Sequence, residues 1–286
     1  MKVVDCFKTL TATAGGLMLA GSAFAQDALP KLETVGKPHE AGIAFQEAVT
    51  EVARDIHWMD SFLLTIITII TLFVTALLLL VIFRFNSKRG HKPATFTHNT
   101  ALEIGWTVVP IVILLAIAPP SLTLLFKQLE IPEADVTIKA TGNQWYWTHE
   151  YVDHDFGFDS FMLPKEELAA NGYSSDEYLL ATDTALVLPV NKTVVVQVTG
   201  SDVIHSWTIP AFGVKQDAVP GRLAELWFKA EKEGVYFGQC SELCGKDHAY
   251  MPITVKVVSQ DVYEKWLDGA IAEYAGTPRD VKVAAK

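Results

Sequence analysis

Cysteine is nearly absent from this chain. Among 286 residues there are three, Cys6, Cys240 and Cys244. None stands in a C-x-x-C-H motif, so no haem is attached through the usual thioether linkage. Positive charge is also in short supply. The chain has 23 Lys and Arg against 33 Asp and Glu, a formal net charge of −10. That balance sets nucleic acid aside as a partner and favours a basic protein. No internal repeat or low-complexity stretch occurs, which sets aside repeat arrays. Charge of either sign is missing from two long runs, Ser61 to Phe83 and Ile104 to Phe126. Acid alone is missing from the stretch between them, from Arg84 up to Glu103.

These gaps outline the organisation. Half the residues are apolar and unevenly spread. Residues 1–25 read as a secretory signal peptide. Lys2 and Lys8 precede an apolar core from Leu10 to Ala20, and Ala23-Phe24-Ala25 is an A-x-A cleavage site. Cleavage there would make Gln26 the mature N-terminus and remove Cys6. Residues 26–57 are polar and mixed, and the spacing predicts an amphipathic helix over 39–56 with Ile43, Phe45, Val49 and Val52 on one face. Residues 58–85 form a first membrane span, long enough at 1.5 Å per residue to cross a core of ~30 Å. Trp58 fits the aromatic belt at its start.

Residues 86–102 follow, and Arg84, Lys88, Arg89 and Lys92 place this loop on the cytoplasmic side. Thr100-Ala-Leu-Glu103 has the form of a capping box opening the second span, residues 103–127. Pro119-Pro120 is expected to kink or end that helix near the outer face. Both mature ends then lie outside, in the periplasm of a bacterial inner membrane.

From about residue 130 the pattern changes to short β-rich runs separated by Gly, Pro and Asn-Lys turns. The runs are Val136 to Ala140, Gln144 to Tyr151, Ala185 to Leu188, Thr193 to Val198, Glu225 to Phe228, Gly234 to Gly238 and Ile253 to Val258. That is the signature of an antiparallel sandwich or barrel over 130–258. Residues 259–286 read as a helix, Val262 to Tyr274, and a polar tail. Residues 127–286 hold 14 basic and 24 acidic side chains, so this part alone carries the acidity.

One short stretch concentrates metal-ligating side chains: Cys240-Ser-Glu-Leu-Cys244-Gly-Lys-Asp-His248-Ala-Tyr-Met251. A further histidine, His205, stands upstream in SDVIHSW. Thiolate, imidazole and thioether together suit copper better than a hard cation. One His on an early loop and a Cys…His…Met loop before a last strand is the blue-copper arrangement of a cupredoxin-like fold. The second cysteine allows two thiolates to bridge two metal ions. His205 and His248 would then cap one copper each, with Met251 and the Glu242 carbonyl as weak axial donors. Such a pair shares one unpaired electron and changes little on reduction. Two alternatives use fewer of these residues. A zinc site leaves Met251 unexplained, and a Cys240–Cys244 disulfide leaves both histidines and Met251 unexplained. The thiols must be reduced before metal loading, so an assembly helper fits.

GQCSELCGKDHAYMP, SDVIHSW, GNQWYWTHEY and the two-helix hairpin resemble subunit II of cytochrome c oxidase, of the aa3 type. The resemblance covers essentially the whole mature chain. It implies a copper A centre held by His205, Cys240, Glu242 through its carbonyl, Cys244, His248 and Met251. It implies that electrons come from cytochrome c and pass to haem a in subunit I, which reduces oxygen to water and pumps protons. It implies that the Glu242 carboxylate ligates a magnesium ion shared with subunit I. By the same match Trp145 is where electrons come in, and Glu103 lies at the mouth of a proton-uptake path. Trp145 and Trp147 are expected on one face of a strand. Glu150, Asp153, Asp155, Asp159, Asp183 and Asp202 form the expected docking patch for the lysine rim of cytochrome c. Ser201 departs from the pattern, standing where many relatives have an acid. Asp217, Pro220, Gly221 and Arg222 match the family as a turn toward subunit I, without chemistry of their own. Other oxidase subunits and membrane lipid complete the implied partners.

Overall fold

The computed structural model describes residues 26, 29–90, 92 and 94–275. The expected signal peptide with Cys6, and the tail 276–286, lie outside the described residues. In chain order the elements are β1 (Thr34–Gly36), α1 (Glu51–Arg84), α2 (Thr100–Leu129), β2 (Val136–Asn143), β3 (Tyr146–Tyr151), β4 (Phe156–Ser160), β5 (Leu186–Pro189), β6 (Thr193–Gly200), β7 (His205–Ile209), β8 (Val214–Ala218), β9 (Ala224–Lys229), β10 (Gly234–Gln239), β11 (Pro252–Val258) and α3 (Gln260–Tyr274). Short 3-10 turns punctuate the loops.

The apolar windows of α1 and α2 are long enough to cross a membrane and have none of their residues buried. Leu72, Phe73, Leu114 and Leu115 all face outward. Such surface is stable in hydrocarbon and not in water. The helix bounds differ from expectation at both starts. Residues 39–50 form no helix; α1 begins at Glu51 because Thr50 caps it, accepting from the Ala53 amide at 3.0 Å. The Thr50 hydroxyl in turn donates to the Phe212 carbonyl at 2.8 Å, a tertiary partner that no local pattern reveals. Ile43, expected on an apolar helix face, is fully exposed. The capping box at Thr100 does not form either: Asn99 caps α2, accepting from the Leu102 amide at 3.2 Å. Nor does Pro119-Pro120 end α2, which continues to Leu129 with three prolines inside it. Each proline deprives one carbonyl of its helical partner. The Thr123 hydroxyl donates back to the Pro119 carbonyl at 3.0 Å and holds the turn together there.

The β part is two packed sheets and a hairpin. One sheet has the order β4-β3-β2-β6-β9, the other β1-β10-β11-β5, and β7-β8 stands between them. Alternation fills the interior: Ile138 and Ala140 from β2, Trp147 and Tyr151 from β3, Val196 and Val198 from β6, Ile253, Val255 and Val257 from β11. Large buried side chains of this kind contribute about 2–3 kcal/mol each. Helix α3 closes one end through Trp266, whose ring lies 5.3 Å from that of Tyr151.

Four strands went unread in the sequence: β1, β4, β7 and β8. β1 pairs parallel with β10 and exists only through that pairing. β7 and β8 are a five-residue hairpin whose HSWTI and VKQDA lack clean alternation, since β7 is buried on both faces.

The β part is fastened to the helices at one end of both. The Val49 amide donates to the Ala211 carbonyl at 3.1 Å, and the Glu231 amide to the Val49 carbonyl at 3.0 Å. Lys127 at the end of α2 lies 2.6 Å from both Glu51 and Asp55 at the start of α1. The Trp227 indole donates to the Lys127 carbonyl at 3.1 Å. The copper-ligand candidates therefore hang from a rigid body fixed over the helix ends.

A histidine sits in the middle of that body. His149 is wholly buried, 3.2 Å from the Ser160 hydroxyl and 3.4 Å from the Trp207 indole nitrogen. The indole N–H can only donate, so Nε2 accepts and the neutral ring's proton sits on Nδ1. Ser160 passes the chain on to the Thr184 carbonyl at 2.9 Å. Burial alone pushes His149 down to about 3, and no charged group from β4, β7 or the Thr184 loop offsets it. Unfolded histidine titrates near about 6.5, so only the unfolded chain gains this proton as pH falls. Stability is therefore intact above about 6.5 and declines toward 3, by roughly 2 kcal/mol at pH ~5. His149→Gln keeps a donor and an acceptor but cannot charge. Thermal unfolding, followed by near-ultraviolet dichroism, is expected to show the wild type losing its margin over this variant between pH ~7 and ~5. A pH-independent difference would refute the account.

Candidate metal centre

The loop 240–251 joins β10 to β11, adjacent antiparallel strands, and Gln239 pairs with Pro252 at its neck. The Cys240 amide reaches the Met251 carbonyl at 3.3 Å, and the Ser241 amide reaches the Ser206 carbonyl at 3.0 Å. The first bond pins the loop to itself and the second pins it to β7, which starts with His205. The ligand atoms of His205, Cys240 and Cys244 come within 4.8 Å of one another.

The sulfurs of Cys240 and Cys244 are 3.8 Å apart and both cysteines are free. A disulfide needs about 2.05 Å. His205 Nδ1 is 3.9 Å from the Cys240 sulfur, and the Glu242 carbonyl is 3.3 Å from it. His248 Nδ1 and Met251 Sδ are each 3.5 Å from the Cys244 sulfur. Each sulfur thus has one imidazole nitrogen and one weak donor beside it. Cys240, Cys244, Met251 and His205 are buried, whereas the Glu242 residue is exposed at the loop tip. All six residues named from the sequence are together here.

Burial raises the Cys240 thiol, but hydrogen bonds from His205 and from nearby backbone outweigh it and lower it to about 6. Burial and the negative charge of Cys240 push Cys244 up to about 12. Without a cation the pair holds one thiolate readily and resists a second. A bridging soft cation removes that conflict. The donor set therefore fits the copper pair: two sulfurs to share, two imidazoles and two weak donors, in a largely buried site.

Asp202 orients His205. Its carboxylate lies 2.8 Å from His205 Nε2 and accepts the Gln144 amide at 2.7 Å and the Val203 amide at 2.6 Å. A carboxylate accepts only, so Nε2 keeps its proton, and Nδ1, the nitrogen that faces the sulfurs, is the one left to ligate when a cation takes the place of its hydrogen bond to Cys240. Gly142 makes room for the same ring: a Cβ there would lie 2.8 Å from its atoms. Neither role is visible in the sequence, where Asp202 reads only as one of the expected docking acids.

Trp145 lies on the turn before β3, not on the strand, and does not share a face with Trp147. Trp147 is fully buried, with its ring 6.0 Å from that of His205, whereas Trp145 is half-exposed. The Trp145 indole donates to the Cys244 carbonyl at 3.3 Å, and the Gln144 amide group donates to the same oxygen at 2.9 Å. Gly245 adopts φ +129, and a Cβ there would press on the indole at 2.9 Å. So Trp145 rests directly on the loop that carries the candidate ligands.

The acids named from the sequence fall into two groups. Asp159 accepts from Thr148 at 2.6 Å, and Asp183 from the Phe161 amide at 2.9 Å. With Asp202 they lie at the Trp145 end of β3; partial burial and then the charges of Asp159 and Asp202 push the Tyr146 phenol up. Glu150 pairs with Lys139 at 3.2 Å, further along β3. Asp153, which accepts from the Thr137 amide at 3.0 Å, and Asp155 lie past the far end of that strand. Asp217 sits on β8, bonded to Ser206 and Lys215, while Pro220, Gly221 and Arg222 turn out of it. Glu103 lies in the first turn of α2, over 100 residues from the loop in sequence and apart from this site.

Two family models cover most of the chain: the periplasmic domain of cytochrome c oxidase subunit II matches residues 136–258, and the transmembrane domain of the same subunit matches 38–124. Cytochrome c oxidase subunit 2 of Cereibacter sphaeroides is 59% identical over 271 residues, covering 90% of this chain and 89% of that protein. A probable cytochrome c oxidase subunit 2 of Rickettsia bellii is 46% identical, covering 79% and 82%. The crystal structure of the periplasmic domain of subunit II of cytochrome oxidase from Bradyrhizobium japonicum aligns over 51% of this chain and all of that one, with 52% identity and a TM-score of 0.47.

Proposed function

This chain belongs to the cytochrome c oxidase subunit II family, and from that premise we propose that it takes up electrons from cytochrome c on the outer membrane face. It hands them toward haem a in subunit I, where oxygen is reduced to water and protons are pumped. What carries the reading is the donor set of His205, Cys240, Cys244, His248, Met251 and the Glu242 carbonyl gathered around one sulfur pair.

Copper A, when bound there, supplies a one-electron couple with its charge spread over two ions. The residues do the rest. Cys240 and Cys244 would bridge, and the nearly closed site excludes water. Asp202 holds His205 in the ligating tautomer. Trp145 rests on the Cys244 carbonyl and offers a half-exposed aromatic face to a docked haem protein. Asp159, Asp183 and Asp202, toward the same end of β3, favour a lysine-rich partner, with Glu150, Asp153 and Asp155 extending the acidic face away from it. The exposed Glu242 carboxylate, one bond network away from Cys240, would hold a magnesium ion with subunit I. Glu103, at the positively flanked ends of the helices, would open a proton path there. Both mature termini would be periplasmic and the helices would span a bacterial inner membrane, with 58–85 and 103–127 as the proposed spans.

The test is metal analysis with electron paramagnetic resonance on the purified full chain in detergent, after reduction and copper loading. About two copper ions per chain and a spin shared over two nuclei are expected. A single zinc ion, or a metal-free disulfide form that resists loading, would sink the reading.

A further inference from the structure

One cation interrupts the acidic surface at the point where a donor would touch it. Lys246 Nζ lies 5.5 Å from the centre of the Trp145 ring, and its side chain is 77% exposed. An ammonium over an indole face is held there by the ring quadrupole. Its only ion-pair partner among the described residues is Asp247, at 3.5 Å. Three successive loop residues therefore serve one indole. Cys244 accepts its N–H, Gly245 leaves room for its edge, and Lys246 covers its face.

We infer that Lys246 sets how fast the docked donor leaves. The net charge of −10 draws a lysine-rimmed donor in from a distance. To bring its haem edge against Trp145, that donor must push aside an ammonium of its own sign. The repulsion is local, so it weakens the complex at contact while long-range steering is nearly unchanged. A repulsive element inside an attractive surface keeps binding brief, as repeated electron delivery requires. This inference rests on the proposed docking of cytochrome c over Trp145.

The test uses the assembled oxidase with purified cytochrome c at several ionic strengths. Lys246→Met keeps an apolar side chain of similar length and removes the charge. At low salt its KM is expected to fall about three- to tenfold, with kcat falling as release slows, and both are expected to rejoin wild type near ~0.5 M salt, where charges are screened. Lys246→Arg should restore wild-type values, and copper content and paramagnetic signal should be unchanged throughout. Lys232→Met, a change of equal charge at a residue paired with Glu47, is the control. An equal drop in KM there would reduce Lys246 to bulk charge and overturn the inference. So would an unchanged KM in Lys246→Met when Trp145→Phe, in the same oxidase, slows electron uptake. If Trp145→Phe also leaves uptake unaltered, the docking reading itself fails, and this inference with it.

Discussion

Replacing Cys244 by serine is expected to leave a folded chain that binds about one copper ion instead of two and loses the shared-electron signal. Serine is nearly isosteric, and Cys244 lies on the loop beyond the strands at the edge of the core, so folding should survive. The chemistry does not survive. A serine hydroxyl stays protonated at neutral pH and is a hard donor, so it cannot bridge two soft ions. What remains is Cys240, His205, His248 and Met251, the donor set of a mononuclear blue copper site. Localising the electron on one ion should produce a four-line paramagnetic spectrum and an intense blue colour. It also makes the bonds to that ion respond fully to reduction, where a shared electron divides the change between two. Loss of residues that merely orient ligands costs 10–100-fold in affinity or activity. Loss of the bridge should therefore leave oxidase turnover below about 1% of wild type. Two copper ions with an unchanged signal in Cys244→Ser would show that the sulfurs do not bridge, and the two-ion account would have to be abandoned.

The candidate ligands were legible because they are local. Five of the six lie between Cys240 and Met251, and spacing within one loop survives any fold that closes it. His205 was legible through its flanks, SDVIHSW. The residues that position these ligands were not. Asp202 meets the Gln144 amide across 58 residues of sequence, and Trp145 meets the Cys244 carbonyl across 99. Nothing in a loop aspartate tells whether its oxygens face water or an imidazole. The six candidate docking acids looked alike for the same reason, and only the fold separates Asp159 and Asp183, toward the Trp145 end of β3, from Asp153 and Asp155 past its far end.

The fold divides in the same way. β2, β6 and β11 alternate or run apolar and could be read directly, as could the two uncharged spans. β1 and the β7-β8 hairpin are strands through their partners rather than their own residues. The start of α1 is set by Thr50, which is fixed from the far side by Phe212. The prolines of α2 misled because proline ends helices in water more readily than in a membrane, where a lost hydrogen bond cannot be replaced by solvent. The expected amphipathic helix over 39–56 forms only from Glu51 onward, because Val49 instead extends into backbone bonds with Ala211 and Glu231.

Gly142→Ala carries the second large effect, at a residue that contacts no metal. Gly142 is buried on β2, paired with Gly200 on one side and Trp147 on the other. Its φ lies outside the left-handed region, so alanine meets no backbone strain there. The difficulty is entirely the His205 side chain, whose Cβ, Cγ and Cδ2 would each be 2.8 Å from the new methyl. That ring has little room to retreat: Asp202 holds Nε2 at 2.8 Å, Trp147 stands edge-on to it, and the residue is fully buried. Backbone and ring must both shift, which overpacking series put at about 1–3 kcal/mol of stability. The ligating Nδ1 moves with the ring. Copper affinity is therefore expected to drop on the order of 10–100-fold, measured by chelator competition on protein shown to be folded by near-ultraviolet dichroism. Gly172→Ala separates the two effects. Its φ is +80 and no atom lies within 4 Å of the added methyl, so it strains the backbone without touching the site. It should cost stability and leave copper affinity alone. If Gly142→Ala and Gly172→Ala lose stability alike and both bind copper as tightly as wild type, the fit of Gly142 to His205 is not what holds the imidazole in place. If copper binding fails only in Gly142→Ala, a missing methyl on β2 is what allows His205 to face the sulfurs.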